Sequence, residues 1–530
     1  MANATHTGTG SAMKNTILLF LSLWMIHSTQ AAPPNLLVIQ TDEHNFRTLG
    51  CYRDTLPPEQ ALVWGKDAVL ETPNIDWLAK QGALCTSFYA TTPVCSPSRA
   101  ALISGRYPQN TPVVTNNVPL SNDVVTFAEL LKRRGYRTGY VGKWHLDGSG
   151  KPQWQPKRNF GFEDNRFMFN RGHWKKFEDT PEGPRVGARK NGKPSYDLDG
   201  ADEESFATDW LTTKVIKFIE SDKEQPFCMM VALPDPHGPN TVRAPYNTQF
   251  SHIKFELPAT MTNPGETQPF WGKAMVQSLQ NQSMQQYFGM VKCIDDNVGR
   301  IIEALRKQGR LENTMIVFTA DHGDLCGEHC RHNKGNPYEA SAKVPFIMYY
   351  PPKVKAGTVI NEALSCVDFL PTAFSLFGYK TAGLEQGRDA STLFRTGKAP
   401  ADWKDLAFLR STGSADIPSA WLCVVSDQYK LVFSNGDIPW LYDLETDPDE
   451  VVNALHEADH RDRIRTMSQA LQAYGEQNAE PFIALPRIKA DIAWAVGDVK
   501  RYATPNPVAP AEKAPGKRKR KQAAAEEALL

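Results

Sequence analysis

Four short apolar runs, each followed at once by a cluster of polar residues, constrain this chain more than any other feature. "NLLVIQ" (35–40) leads to Thr41-Asp42-Glu43-His44, and "YRTGYVG" (136–142) to Lys143-Trp144-His145. "FCMMVAL" (227–233) leads to Pro234-Asp235-Pro236-His237, and "TMIVFTA" (314–320) to Asp321-His322-Gly323-Asp324. Such runs read as buried strands. Helical patterns lie between them. "TPNIDWLAKQG" has Thr72 as cap, Pro73 in first position and Gly82 as stop, and "TFAELLKRRG" carries a capping box, Thr126 with Glu129, and ends at Gly135. Tyr287, Val291, Ile294, Val298, Ile301, Ile302 and Leu305 mark one face of a helix that stops at Gly309. Alternation of this kind predicts an α/β domain with a mostly parallel central sheet flanked by helices, over residues 33–400. In open α/β sheets ligands bind beyond the carboxyl ends of the strands, so the four polar clusters are expected on one rim.

From residue 401 the pattern changes. "AWLCVVSDQYKLVFSNGDIPWLYDLETDPDE" reads as antiparallel strands with "NGD" as a turn, and "RDRIRTMSQALQAYGEQ" as a helix. This predicts a smaller C-terminal α+β subdomain with an antiparallel sheet, over 401–500. Residues 501–530, rich in Ala, Pro and Lys and carrying "GKRKRKQ", read as a disordered basic tail. At the other end, Met13-Lys14, the apolar "TILLFLSLWMI" and the small residues of "HSTQAAPP" form a signal-peptide pattern over 1–32, with cleavage near Ala31 or Ala32. The apolar core is shorter than the ~20 residues of a membrane span, and no cysteine follows it closely, so no membrane anchor is expected. The expectation is an exported protein, periplasmic or secreted. Export permits disulfides, and the odd count of nine cysteines leaves at least one unpaired if all pairing is internal, for which Cys95 is the choice. With 59 basic and 59 acidic residues, nothing global points to nucleic acid.

"CSPSRAALISGRYP" (95–108) reads as a helix with Ser96 as N-cap, Pro97 first and Gly105 as stop. Cys95 would then sit just before a helix N-terminus, with Arg99 one turn in, and its thiol pKa would be lowered. A buried structural cysteine is the alternative. Around it stand hard oxygen donors (Asp42, Glu43, Asp321), cations (Arg99, Lys143, Lys334) and imidazoles (His145, His237, His322). Taken singly, each is commonly a surface ion pair. Together they suit a divalent metal and a tetrahedral oxyanion ester, with a histidine to protonate the leaving oxygen.

"TDEH" (41–44), Cys95-Ser96-Pro97-Ser98-Arg99 with Gly105, "GYRTGYVGKWH" (135–145), "PHGP" (236–239), "ADHGDLCGEH" (320–329), "KGNPYEAS" (334–341) and "LYDLETDPDE" occur in this order. With them, the chain resembles the type I, formylglycine-dependent sulfatases of the alkaline phosphatase superfamily over roughly residues 34–480. The resemblance implies that a formylglycine-generating machinery oxidises Cys95, reading Pro97 and Arg99, and that the hydrated aldehyde is the nucleophile. It implies a Ca²⁺ ion held by Asp42, Asp321, His322 and residue 95. Glu43 falls at a further ligand position often held by aspartate, and is one methylene longer. Lys143 and Lys334 would hold sulfate oxygens, His145 and Arg99 would support the diol, and His237 would be general acid. The implied substrate is a sulfated carbohydrate. The stretch around Arg171, His173 and Trp174 reads either as a sugar subsite or as a plain surface loop. Two rival activities stay open: a phosphonate or phosphate ester hydrolase, and an unmatured protein that only binds anionic glycans. Cys326, His329, Cys330 and His332 offer a zinc cluster or a Cys326–Cys330 disulfide as alternatives.

Overall fold

The computed structural model describes residues 32–413 and 420–497, together with Gly8. The expected signal segment and basic tail lie almost wholly outside the described residues. The main sheet has eight strands: β1 (Asn35–Asp42), β2 (Ala83–Cys85), β3 (Arg137–Lys143), β4 (Asp164–Phe169), β5 (Phe227–Pro236), β6 (Thr314–Ala320), β7 (Phe346–Tyr349) and β8 (Thr358–Ile360). Their order is β8-β2-β7-β6-β1-β5-β3-β4. The four strands read from sequence are therefore contiguous, and every pairing among them is parallel. Only β7 runs against its neighbours. The short or polar strands β2, β4, β7 and β8 escaped the sequence reading.

Why these runs are apolar throughout follows from the layers. Along β1, Leu36 and Val38 enter one core, while Leu37 and Ile39 enter the other. The same alternation sends Met230 of β5 and Val317 of β6 to the first core, and Val231 and Ile316 to the second. A strand covered on both faces has no solvent side, so period-two patterning disappears. The second core is closed by α1 (Pro73–Gln81), a helix over Ala207–Glu220 and the long helix Asn281–Lys307, whose predicted apolar face is buried throughout. The first core is closed by the helix Cys95–Ser104, the helix Phe127–Lys132 and the C-terminal subdomain.

That subdomain is a four-stranded antiparallel sheet, β9 (Ala407–Arg410), β10 (Trp421–Val425), β11 (Tyr429–Ser434) and β12 (Trp440–Asp443), paired in sequence order. Leu422, Val424, Leu431 and Phe433 join the first core, so the two sheets share buried surface. The helices Arg461–Gln477 and Pro486–Val496 pack on this same face, with Ile464, Leu471, Ile488 and Ile492 in one cluster with it, while Trp421, Cys423 and Val432 on the other face pack with Tyr89, Leu325 and Tyr338.

Two helix starts differ from expectation. The helix at Cys95 begins at that residue, with Val94 in the N-cap position and no side-chain cap. Ser96 is inside the first turn, and its hydroxyl donates to the His145 carbonyl at 2.7 Å instead. A tertiary acceptor has outcompeted the local cap. At Thr126 only half of the capping box forms: the Glu129 N–H donates to Thr126 at 3.1 Å, while the Glu129 carboxylate takes Arg133 at 2.9 Å. All nine cysteines are free thiols, so the disulfides that export permits, the Cys326–Cys330 alternative included, are not formed among the described residues. The zinc alternative fails as well. His329 stacks face to face on Tyr338 at 3.5 Å, and among the described residues no metal-like grouping involves Cys326, His329, Cys330 or His332.

Candidate active site

The carboxyl ends of β6, β1, β5, β3 and β4 form one rim, and the start of the Cys95 helix is tucked beneath it. Asp42 ends β1, Lys143 ends β3, and Asp321 and His322 follow β6 directly. Parallel alignment brings these ends level, which is why Asp42 Oδ1 and His322 Nε2, far apart in the chain, lie 3.7 Å from each other. Two residues just past strand ends hold left-handed backbone, Glu43 at φ 62° and His145 at φ 58°. Non-glycine residues pay roughly 1–3 kcal/mol for such conformations, and they cluster at functional sites. Gly142, at φ 105°, is required because a Cβ there would enter the Ala232 carbonyl oxygen of β5.

Arg99 organises the floor. Its Nη2 reaches Asp42 Oδ2 at 3.0 Å and Asp321 Oδ2 at 2.8 Å, and its Nη1 donates to the Lys143 carbonyl at 2.8 Å. Lys143 Nζ also pairs with Asp42 Oδ2, at 2.5 Å. One oxygen of each carboxylate is thus consumed by cations. The other oxygen of each turns inward. Asp42 Oδ1 lies 3.7 Å from Cys95 Sγ, and Asp321 Oδ1 lies 3.4 Å from His322 Nε2. His322 Nδ1 donates to the Gly323 carbonyl at 3.0 Å, which aims Nε2 at Cys95 Sγ, 3.2 Å away. Ligand atoms of Asp42, Cys95, Asp321 and His322 all lie within 4.8 Å of one another, and all four residues are buried. Ligand bonds of about 2.3–2.6 Å to a central hard cation fit that spacing. The donor set fits one divalent ion.

Burial sets the protonation states. Burial alone would push Asp42 up, but Lys143 and Arg99 outweigh it and hold its carboxyl well below the usual range. Burial pushes the Cys95 thiol up to about 12, and Asp42 adds to this, so the thiol stays protonated. The expectation of a lowered thiol pKa is overturned: desolvation and a neighbouring carboxylate win over the helix terminus, and Arg99 spends its charge on Asp42 and Asp321. His145, His237 and His173 are all held neutral, by burial first and by neighbouring charged or imidazole groups second.

Above the floor opens a cavity of about 360 Å³. Cys95, His145, His173, His237 and Lys334 line it, with Asn116, Asn117, Arg171, Tyr196 and Asn333 farther out. Both ring nitrogens of His145 are buried without a hydrogen-bond partner. Lys334 Nζ donates to His237 Nε2 at 2.8 Å, and the His237 Nδ1 side meets the Gly238 carbonyl at 2.9 Å.

The sequence matches the sulfatase family over residues 34–379, and the C-terminal region of N-sulphoglucosamine sulphohydrolase over 327–477. The chain belongs to the type I sulfatase family of the alkaline phosphatase superfamily. It is a sulfuric ester hydrolase. It is 27% identical to an N-acetylglucosamine-6-O-sulfatase of Bacteroides thetaiotaomicron, over 84% of this chain and 86% of that one. Its fold superposes, with TM-score 0.67 and 24% identity, on a protein solved in complex with its substrate D-glucosamine-2-N,6-O-disulfate, covering 85% of this chain and 99% of that one. A phosphonate monoester hydrolase of Agrobacterium radiobacter shares the fold with TM-score 0.62 and 24% identity, over 84% of this chain and 96% of that one.

Of the residues named from sequence, this sulfatase brings Asp42, Cys95, Arg99, Lys143, His145, His237, Asp321, His322 and Lys334 to the rim. Glu43 departs from the ligand role. Its left-handed backbone turns the carboxylate to Lys334 Nζ at 2.9 Å and His237 Nε2 at 3.1 Å, and only its N–H reaches Asp321 Oδ1, at 3.2 Å. It stands outside the group of four. Burial pushes its carboxyl up to about 7 despite Lys334.

Sequence reasoning missed the rank of His173. It was placed in a sugar subsite or surface loop. In the sulfatase it stacks on His237 at 3.5 Å and 8°, and its Nε2 lies 2.7 Å from Lys143 Nζ. Lys175 was missed entirely: it pairs with Asp235 at 2.6 Å and donates to the His237 carbonyl at 3.1 Å, fixing the backbone that carries His237. The signal was present. "DNRFMF" is a fifth strand followed by the polar "NRGHWK". Trp174 from the same stretch is buried and serves packing.

Proposed function

We propose that this chain is an exported sulfatase that hydrolyses sulfate esters of carbohydrates, with residue 95 matured to formylglycine and one Ca²⁺ ion held by Asp42, Asp321, His322 and residue 95. The observation that carries the reading is the inward convergence of one oxygen from each aspartate and the His322 Nε2 on Cys95 Sγ, at the foot of a cavity lined by cations and imidazoles. Sγ stands here for a hydroxyl of the matured residue. When present, the cation supplies charge that offsets the negative charge of the transferring group, and the hydrated aldehyde supplies the attacking oxygen.

The chain's own residues do the rest. Lys143 and Lys334 hold sulfate oxygens from two sides. His145, with both ring nitrogens free, hydrogen-bonds the group at residue 95. Arg99 is a positioning residue, holding both aspartates so that their second oxygens face inward. His237 carries the proton to the leaving oxygen; an anionic ester in the cavity favours its imidazolium, and Lys334 already donates to its Nε2. A carbohydrate is supported by the amide- and hydroxyl-bearing walls and by the substrates of the two relatives described above.

The test has two parts. Peptide mass spectrometry across residue 95, on protein made with a formylglycine-generating enzyme, is expected to show loss of the thiol. The matured protein is then expected to release sulfate from at least one defined sulfated saccharide. An intact thiol in active protein, or no sulfate release from any saccharide, would overturn the reading. A second reading, phosphonate ester hydrolysis, is supported by the fold shared with the Agrobacterium enzyme; turnover of matched sulfate and phosphonate esters separates the two. Export is tested by the N-terminus of the mature protein, expected near Ala32.

A further inference from the structure

Among the described residues, the cavity is lined by one cation that no carboxylate pairs. Lys143 is paired with Asp42, Lys334 with Glu43, Arg99 with Asp42 and Asp321, and Lys175 with Asp235. Arg171 differs. Its backbone is anchored at both ends: its N–H donates to the Pro152 carbonyl at 3.3 Å, and its carbonyl accepts from Trp174 Nε1 at 3.0 Å. Its guanidinium has no hydrogen bond, ion pair or ring contact among the described residues, although it lines the cavity and is near enough to His145 to act on it electrostatically. No carboxylate lines the cavity among the described residues. The remaining outer wall, Asn116, Asn117, Asn333 and Tyr196, is neutral.

A partly buried arginine with an anchored backbone and five unused guanidinium donors is suited to a planar or tetrahedral anion. The scissile sulfate is already served by Lys143 and Lys334. The anion that Arg171 meets is therefore a different group on the same substrate. Resting on the reading of the site as a carbohydrate sulfatase, we infer that Arg171 recognises a second acidic group, a carboxylate or a second sulfate, on the sugar that carries the scissile ester or on its neighbour. The preferred substrates are then diacidic saccharides, and Arg171 is a specificity-determining residue. Tyr196, tilted against Trp174 at 4.6 Å and with Lys151 Nζ 4.7 Å from its ring, gives the same cavity an aromatic residue in its wall.

The experiment measures kcat/KM of the matured enzyme on glucosamines and galactosamines carrying one sulfate at each position, on the same sugars with a second sulfate, and on sulfated uronates, with 4-nitrophenyl sulfate as reference. Wild type is expected to favour a diacidic sugar over its monosulfated counterpart by about 10- to 100-fold, mainly through KM. Arg171→Gln is expected to bring that ratio close to one, and Arg171→Lys to keep part of it. Whether the second sulfate or the carboxylate series shows the preference identifies the group. An equal ratio in wild type, or an unchanged ratio in Arg171→Gln, overturns the role of Arg171 while leaving the sulfatase reading in place. Turnover of 4-nitrophenyl sulfate with no turnover of any saccharide overturns both.

Discussion

Two buried charge clusters in this protein use the same residue types and behave in opposite ways. At the rim, Arg99 and Lys143 consume one oxygen each of Asp42 and Asp321, and the remaining acceptors face Cys95, which lines the cavity. The second cluster lies between β11 and the loop that follows Lys334. Lys430 Nζ reaches Glu339, Glu450 and the Pro337 carbonyl at 2.7 Å each, and the Glu339 N–H donates to Glu450 at 2.7 Å. Lys343 completes it, 2.7 Å from Glu339. Here every charge is turned on another charge or on backbone, and nothing is offered to a cavity. The difference teaches how to separate a site from a brace when both are buried and charged: a brace uses up its polar capacity, whereas a site keeps some aimed at open space. By that measure the Lys430 cluster ties the loop carrying Lys334 to the C-terminal sheet.

The sharpest break in the comparison comes from Cys95→Ala. Turnover is expected to fall by about 10⁴-fold or more, with little change in thermal midpoint, because the thiol makes only weak contacts. Activity retained above about one hundredth of wild type would remove residue 95 from the mechanism. Lys430→Met should do the reverse. It leaves two buried carboxylates facing each other and is expected to cost about 3–5 kcal/mol in denaturant unfolding, while kcat per folded molecule stays within about tenfold. A collapse of kcat at unchanged stability would make the brace part of the machinery.

Chelation sharpens the contrast further. EDTA treatment is expected to abolish activity and lower the unfolding midpoint by a few degrees, with Ca²⁺ restoring both, as for any ligand that binds only the folded state. The shift should persist in Lys430→Met and vanish in Asp42→Asn; the same shift in both variants would place the ion elsewhere. The smallest effect on stability is expected for His145→Asn. Asparagine tolerates the left-handed backbone, and the lost ring had no partner, so unfolding should change by less than about 1 kcal/mol. kcat/KM should nevertheless fall about 10- to 100-fold. A large stability loss instead would mean that the ring is a packing group.

Sequence alone determined the strands β1, β3, β5 and β6, the apolar face of the helix at 281–307, and the polar residues that follow each strand. These are local signals: unbroken apolar runs, a 3.6-residue period, and the rule that parallel strands present their carboxyl ends together. Motif order around Cys95 was equally local. Only the tertiary structure decided which oxygen of Asp42 meets Arg99 and which faces Cys95, that Glu43 turns to Lys334, that Ser96 serves His145 rather than capping its own helix, and that His173 lies on His237. It also decided that burial keeps the unmatured Cys95 thiol protonated and that Lys430 closes a brace. The physical reason is range. Hydrogen bonds and ion pairs in a buried site form between residues scores to hundreds of positions apart, so their partners and the resulting charge states depend on how the layers pack, which no local pattern records.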